Sequence, residues 1–204
     1  MNRIILYTCF LIVICYLFTE CNRDHTISHY FDEYSYDGNI IKKEVMAYRI
    51  TKLEPFEAKV SVLRNEPFKT EYTEKIYSNG IYRSYDKKYS IFYPLDSIGR
   101  ELVRAYPECD FISFPKVFYI GKKKFTLSNK EFFIFKFLEI DGDIGMQSYF
   151  LKDFGFIAYD FSNGKYYLCT NYTGNENLSI DNLKEICTNL VNDTSFFSIY
   201  ENTK

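Results

Sequence analysis

At 204 residues and a formal net charge of −2, the chain lacks the basic excess that binding a phosphate backbone requires, which excludes nucleic acid as a partner. Tyrosine and phenylalanine number 20 each, tryptophan is missing, and histidine occurs twice. Aromatics at this density suit pleated, half-buried surfaces and predict a sheet protein, while the scarcity of histidine argues against His-based catalysis and zinc chemistry in the body of the chain.

The chain opens with Arg3, an apolar run from Ile4 to Phe18, and then Thr19, Glu20 and Cys21. A positive charge before a short apolar stretch is the pattern of a secretory signal. The run falls short of the roughly 20 residues that a membrane-spanning helix needs. With Cys21 directly after it, the segment resembles the export signal of bacterial lipoproteins, in which a cysteine past the apolar region receives diacylglycerol and becomes the mature N-terminus. That resemblance assigns lipidation to Cys21, with Phe18 and Glu20 standing where the family usually carries Leu and a small residue. Three fates remain open: lipidation, ordinary cleavage, or retention as an uncleaved anchor. All three put the body outside the cytoplasm, and the first moors it in the cell envelope, at the outer membrane, through its lipid.

The expected organisation is a signal peptide over 1–20, a polar tether over 21–38 and a single β-rich domain over 39–204. The tether reading rests on the polar, aperiodic run Asn22 to Gly38. His25 and His29 lie within it at a spacing of four, and no metal site is assigned to them. From Ile40 the pattern alternates, giving strands around Val45–Ile50 and Phe56–Val62. A third strand, Phe68–Tyr77, meets Asn79–Gly80, a two-residue hairpin signal, and resumes as Ile81–Tyr85, followed by Tyr89–Tyr93. Leu95, Ile98, Leu102, Val103 and Tyr106 recur at helical spacing before Pro107 and predict a first helix.

Val117–Ile120 and Phe125–Leu127 read as short strands about a basic turn, Gly121–Lys124. Longer strands follow over Glu131–Ile140, Met146–Lys152, Phe156–Phe161 and Tyr166–Thr170. Ser179 caps a second helix whose Leu183, Ile186, Cys187, Leu190 and Val191 form an apolar face. The fold class expected is α+β: a mostly antiparallel meander, curved as a half-barrel, with about two helices. The stretch from Tyr149 to Tyr159 and its Ser-Asn-Gly-Lys turn is also similar to the late strands of small exported bacterial lipoproteins, a likeness that implies such a curved sheet.

Six cysteines are distributed as Cys9 and Cys15 in the apolar run, Cys21, Cys109, Cys169 and Cys187. Cys169 and Cys187 are the candidate disulfide, with buried thiols as the alternative. Glu139, Asp141 and Asp143 read as an acidic hairpin tip. The chain carries neither a Gly-rich phosphate loop nor a Gly-x-Ser-x-Gly nucleophile motif. No catalytic residue, cofactor or metal is therefore assigned. The functional expectation is a non-enzymatic lipoprotein that binds a protein partner or serves the envelope. The alternative is a carrier or sensor of an apolar ligand, held in a concave sheet lined by Phe133, Phe135, Phe137, Phe150 and Phe156.

Overall fold

The computed structural model describes residues 26–54, 57–64, 69–85, 89–95, 103–105, 116–141, 144–161, 164–174 and 178–197. Cys21 and the apolar run before it lie outside these residues, as do His25 and Cys109. The elements are β1 (Thr26–Ser35), β2 (Ile40–Glu54), β3 (Glu57–Arg64), β4 (Lys69–Tyr77), β5 (Gly80–Tyr85), β6 (Tyr89–Pro94), β7 (Val103–Ala105), β8 (Lys116–Leu127), β9 (Lys130–Asp141), β10 (Ile144–Leu151), β11 (Gly155–Phe161), β12 (Lys165–Thr173) and one helix, α1 (Ile180–Asn192).

All twelve strands belong to one antiparallel sheet, in the order β7-β6-β5-β4-β3-β2-β1-β12-β11-β10-β9-β8. Two meanders, β1 to β7 and β8 to β12, are joined where β1 pairs with β12. The sheet curls until β6 comes against β8, giving a nearly closed barrel. Because every pairing is antiparallel, the turns sort to two ends. One end carries the start of β1 with the β2–β3, β4–β5, β8–β9 and β10–β11 connections; the other carries β1–β2, β3–β4, β5–β6, β9–β10 and β11–β12.

The mostly antiparallel sheet agrees with the expected class, and three sequence-based expectations need correction. Residues 26–35, expected within the tether, form β1 at the junction of the two meanders. The strand reads as polar because it carries two buried acids that find partners in the fold: Asp32 Oδ1 accepts the Glu44 backbone N–H at 2.8 Å, and Glu33 pairs with Lys165 at 2.7 Å. Of the first predicted helix, Val103–Ala105 is instead β7 and the segment before it lies outside the described residues, so the described residues hold a single helix. The basic turn at Gly121–Lys124 is part of one long strand, β8, with a register shift between Tyr119 and Gly121. There Lys124 pairs with Glu131 at 2.8 Å and Lys123 with Asp193, so the run of positive charge is neutralised from the neighbouring β9 and from the end of α1.

Helix α1 starts at the expected place, where Ser179 Oγ accepts the Asn182 N–H at 3.1 Å. Its buried stripe of Leu183, Ile186, Cys187 and Leu190 packs on β12, on the outer face of the sheet. Beyond it the chain turns, and Phe197 stacks on Tyr149 with ring centroids 5.0 Å apart. Phe196 and Phe197 thus form a lid of aromatic rings over β10.

Candidate functional site

Cross-strand register builds the site. Glu74 of β4 lies directly opposite Arg83 of β5, and Arg83 Nε donates to Glu74 Oε2 at 2.9 Å. Both side chains are buried, so this is a desolvated ion pair whose partners depend on each other. Arg83 Nη1 reaches the Tyr93 hydroxyl at 3.2 Å, and that hydroxyl donates to Glu139 Oε2 at 3.1 Å. Ser148 Oγ donates to the other Glu139 oxygen at 2.8 Å. The chain Glu74–Arg83–Tyr93–Glu139–Ser148 therefore crosses from β4 to β10 through β5, β6 and β9, and it links the two halves of the barrel.

Aromatic rings enclose the guanidinium. Its central carbon lies 4.0 Å from the Phe156 ring centroid, 4.8 Å from Tyr72 and 4.9 Å from Tyr93. Contacts of this kind contribute roughly 2 kcal/mol or more when desolvated, which helps to offset the cost of burying the charge. Burial pushes the Tyr72, Tyr93 and Tyr159 hydroxyls well above their usual range against the opposing pull of Arg83, and these groups stay protonated. Burial also raises the Glu139 carboxyl, while Arg83 and the two hydroxyl donors act to lower it.

Above this network is a half-open cavity of about 130 Å³. Arg83, Glu139, Tyr48, Tyr72 and Tyr159 form its deep part, and Arg64, Thr70, Tyr85 and Phe161 its outer part. The outer residues fall at the ends of β3, β5 and β11 and the start of β4, which all belong to the barrel end opposite the start of β1.

The five phenylalanines proposed from sequence lie elsewhere, and none of them lines this cavity. Phe137, Phe150 and Phe156 are packed core, with Phe150 edge-on to Phe156 at 5.1 Å and Phe137 edge-on to Tyr93 at 5.3 Å. Phe135 is buried against Tyr119, and Phe133 is half-buried beside the same core. Phe137 and Phe150 support the site by packing against Tyr93 and Phe156, the rings that flank Arg83. Glu139 leaves its expected acidic hairpin tip and turns inward, since its place in β9 puts it beside Ser148 and Tyr93. Sequence reading missed Arg83 and Glu74. Their only signal was an acid and a base in the two arms of one hairpin: an Asn79–Gly80 turn would set Glu74 opposite Tyr85, and it is the turn at Ser78–Asn79 that sets it opposite Arg83.

Cys169 and Cys187 are close but unbridged: both are free, buried thiols, with Cys187 Sγ 3.5 Å from the Cys169 carbonyl oxygen. Burial pushes the Cys187 thiol up to about 12 and raises that of Cys169 as well. Here they act as small apolar residues between α1 and β12.

His29 sits in β1, toward the barrel end that carries the β10–β11 turn. Its ring stacks on Phe154 at 4.3 Å with the planes 1° from parallel, and its buried Nε2 has no hydrogen-bond partner. Burial alone lowers its pKa to about 4. A histidine therefore does lie within the domain, as an uncharged packing residue away from the cavity. Among the described residues no group of three or more His, Cys, Asp or Glu side chains is arranged to hold a metal ion.

No protein-family model matches this chain, and no curated protein shows significant similarity to it.

Proposed function

We propose that the chain is an exported, lipid-moored, non-enzymatic binding protein that receives a small amphipathic ligand in the end of its barrel. The observation that carries the binding role is the half-open cavity, walled by tyrosines together with Met46, Val62 and Met146, with Arg83 and Glu139 at its base held in place through Tyr93 behind them. Pockets of this composition use apolar walls for affinity and a few convergent polar groups for orientation. A cavity of about 150 Å³ holds benzene, so about 130 Å³ suits a single ring or a short branched group. That scale favours a compact ligand over a whole lipid chain and modifies the apolar-carrier reading accordingly.

The export part of the proposal rests on Arg3, the run Ile4 to Phe18 and Cys21. The fold suits a mooring at that end: β1 starts at one end of the barrel, and the cavity lies at the opposite end. A lipid at Cys21 would hold the cavity away from the membrane. Mass spectrometry of the mature protein tests this half, with a diacylated N-terminal Cys21 expected and an unmodified N-terminus at another residue overturning it. Native mass spectrometry of the protein released gently from its membrane fraction tests the other half. A bound small molecule that is lost on changing Tyr159→Trp is the expected result, and retention of that molecule by the filled cavity would overturn the site.

A further inference from the structure

The geometry points to a small ring-bearing carboxylate as the ligand of this cavity, its anionic group facing Arg83 and its entry guided by Arg64. The assignment rests on the binding role proposed above and adds the chemical class. Two arginines and one acid, Glu139, line the cavity, and the acid is already hydrogen-bonded at both oxygens by Tyr93 and Ser148. Of the five N–H donors on Arg83, Nε goes to Glu74 and Nη1 makes one bond to Tyr93. The guanidinium is therefore anchored while keeping donors to spare, and it needs no reorganisation to receive an anion. Planar guanidinium groups pair with carboxylates through two parallel bonds, a geometry an ammonium does not offer.

The walls specify the rest of the ligand. Tyr48 and Tyr159 stack 5.9 Å apart with their planes 19° from parallel, and Tyr72 lies 5.1 Å from Tyr85. Tyr159 is itself sandwiched by Tyr48 and Phe156, so the surfaces left for the flat side of a ligand ring are the outer edges of Tyr48, Tyr72 and Tyr85 beside Met46, Val62 and Met146, and the volume of about 130 Å³ suits a single ring. Arg64, exposed at the mouth, adds a positive charge on the approach path, which raises the encounter rate for anions and not for neutral analogues.

Benzoate and its neutral isostere benzamide are the probes, added to the full chain and followed by calorimetry and ligand-observed saturation-transfer NMR. Benzoate is expected to bind at least tenfold more tightly than benzamide and to weaken as salt is raised. Arg64→Gln, at an exposed position, should lower benzoate affinity several-fold and leave both benzamide affinity and thermal unfolding unchanged. Thr70→Trp, also exposed at the mouth, should block both probes. Equal affinity for the two probes would overturn the carboxylate assignment while leaving a ring-binding cavity in place. If neither probe binds, the carboxylate assignment and the cavity's binding role both fall. Undiminished benzoate binding by Thr70→Trp would place the ligand elsewhere and overturn the site.

Discussion

His29 shows how one buried side chain couples this fold to pH. In the unfolded chain its imidazole titrates near 6.5, and in the folded chain burial lowers that to about 4. Between those values the unfolded state binds a proton that the native state refuses, so this group makes stability rise with pH across the window. Its contribution is complete above pH 6.5, is lost as pH falls toward 4, and amounts to about 3 kcal/mol. His29→Phe keeps a ring against Phe154 and removes the titrating nitrogen. Urea midpoints measured from pH 4 to 7 should therefore lie close together above pH 6.5 and separate toward pH 4, where the parent protein loses stability and the variant keeps it. Parallel profiles for the two proteins would show that His29 is not the acid-sensitive group.

Arg83 has the opposite dependence on its surroundings, because it remains charged and its partners must stay with it. Removing Glu74 with Glu74→Gln leaves the guanidinium buried with a weaker acceptor, and breaking a buried pair in this way typically costs about 3–5 kcal/mol. The double variant Glu74→Leu with Arg83→Met should recover most of that loss in chemical denaturation. It replaces both charges by apolar groups of similar volume, and Glu139, which loses the nearby Arg83 charge, keeps its Tyr93 and Ser148 donors and can take up a proton.

At the scale of elements, the β4–β5 hairpin sets where Tyr93 stands. Asn79–Gly80 is legible in the sequence as a turn, but Ser78 and Asn79 occupy the turn, and Gly80 is the first residue of β5, paired with Tyr77. A methyl group at residue 80 would approach a Phe92 ring carbon to 2.3 Å and the Tyr93 carbonyl oxygen to 2.7 Å. Gly80→Ala should therefore destabilise by about 1–3 kcal/mol, the usual cost of overpacking. It should also weaken ligand binding by shifting Tyr93 relative to Arg83, and retention of both stability and binding would contradict this packing role.

Helix α1 gives a second test at the same scale. Ser179→Ala removes the cap and should cost about 1 kcal/mol. Cys169 and Cys187, enclosed between α1 and β12, should react with a thiol reagent only after unfolding in the parent protein. They should react measurably sooner in Ser179→Ala. A bridge between them in protein recovered from an oxidising compartment would mean that the helix settles differently there.

The strands and α1 were legible because their patterns are local: alternation over Val45–Ile50, a Ser cap three residues before the Asn182 amide, hairpin turns between β9 and β12. What stayed hidden depends on partners distant in sequence. β1 looks like linker until Glu44 and Lys165 are brought to its acids, and β8 looks broken until Glu131 and Asp193 neutralise its lysines. The site was hidden for the same reason. Alternation identifies Phe137 and Phe156 as inward-facing, yet only closure of β6 onto β8 decides that they support Arg83 and leave the cavity to tyrosines.

For the whole molecule, the position of β1 changes the meaning of the N-terminus. Four residues, 22–25, separate Cys21 from the first residue of β1. Five Cα steps at about 3.5 Å each reach at most about 17 Å, so a lipid on Cys21 would seat the barrel directly on the membrane surface, with no long tether to swing on. Two truncations separate these views. Beginning the chain at Asn22 should leave a folded, cooperatively unfolding protein, because the whole of β1 is retained. Beginning it at Asn39 removes the strand that joins the two meanders, exposes the edges of β2 and β12, and strips Phe31 from the core. That chain should lose cooperative unfolding and aggregate through its uncovered edges, as measured by calorimetry and size-exclusion chromatography. A soluble, cooperatively folded chain beginning at Asn39 would restore residues 21–38 to the role of tether. It would also free the cavity from a fixed orientation above the membrane.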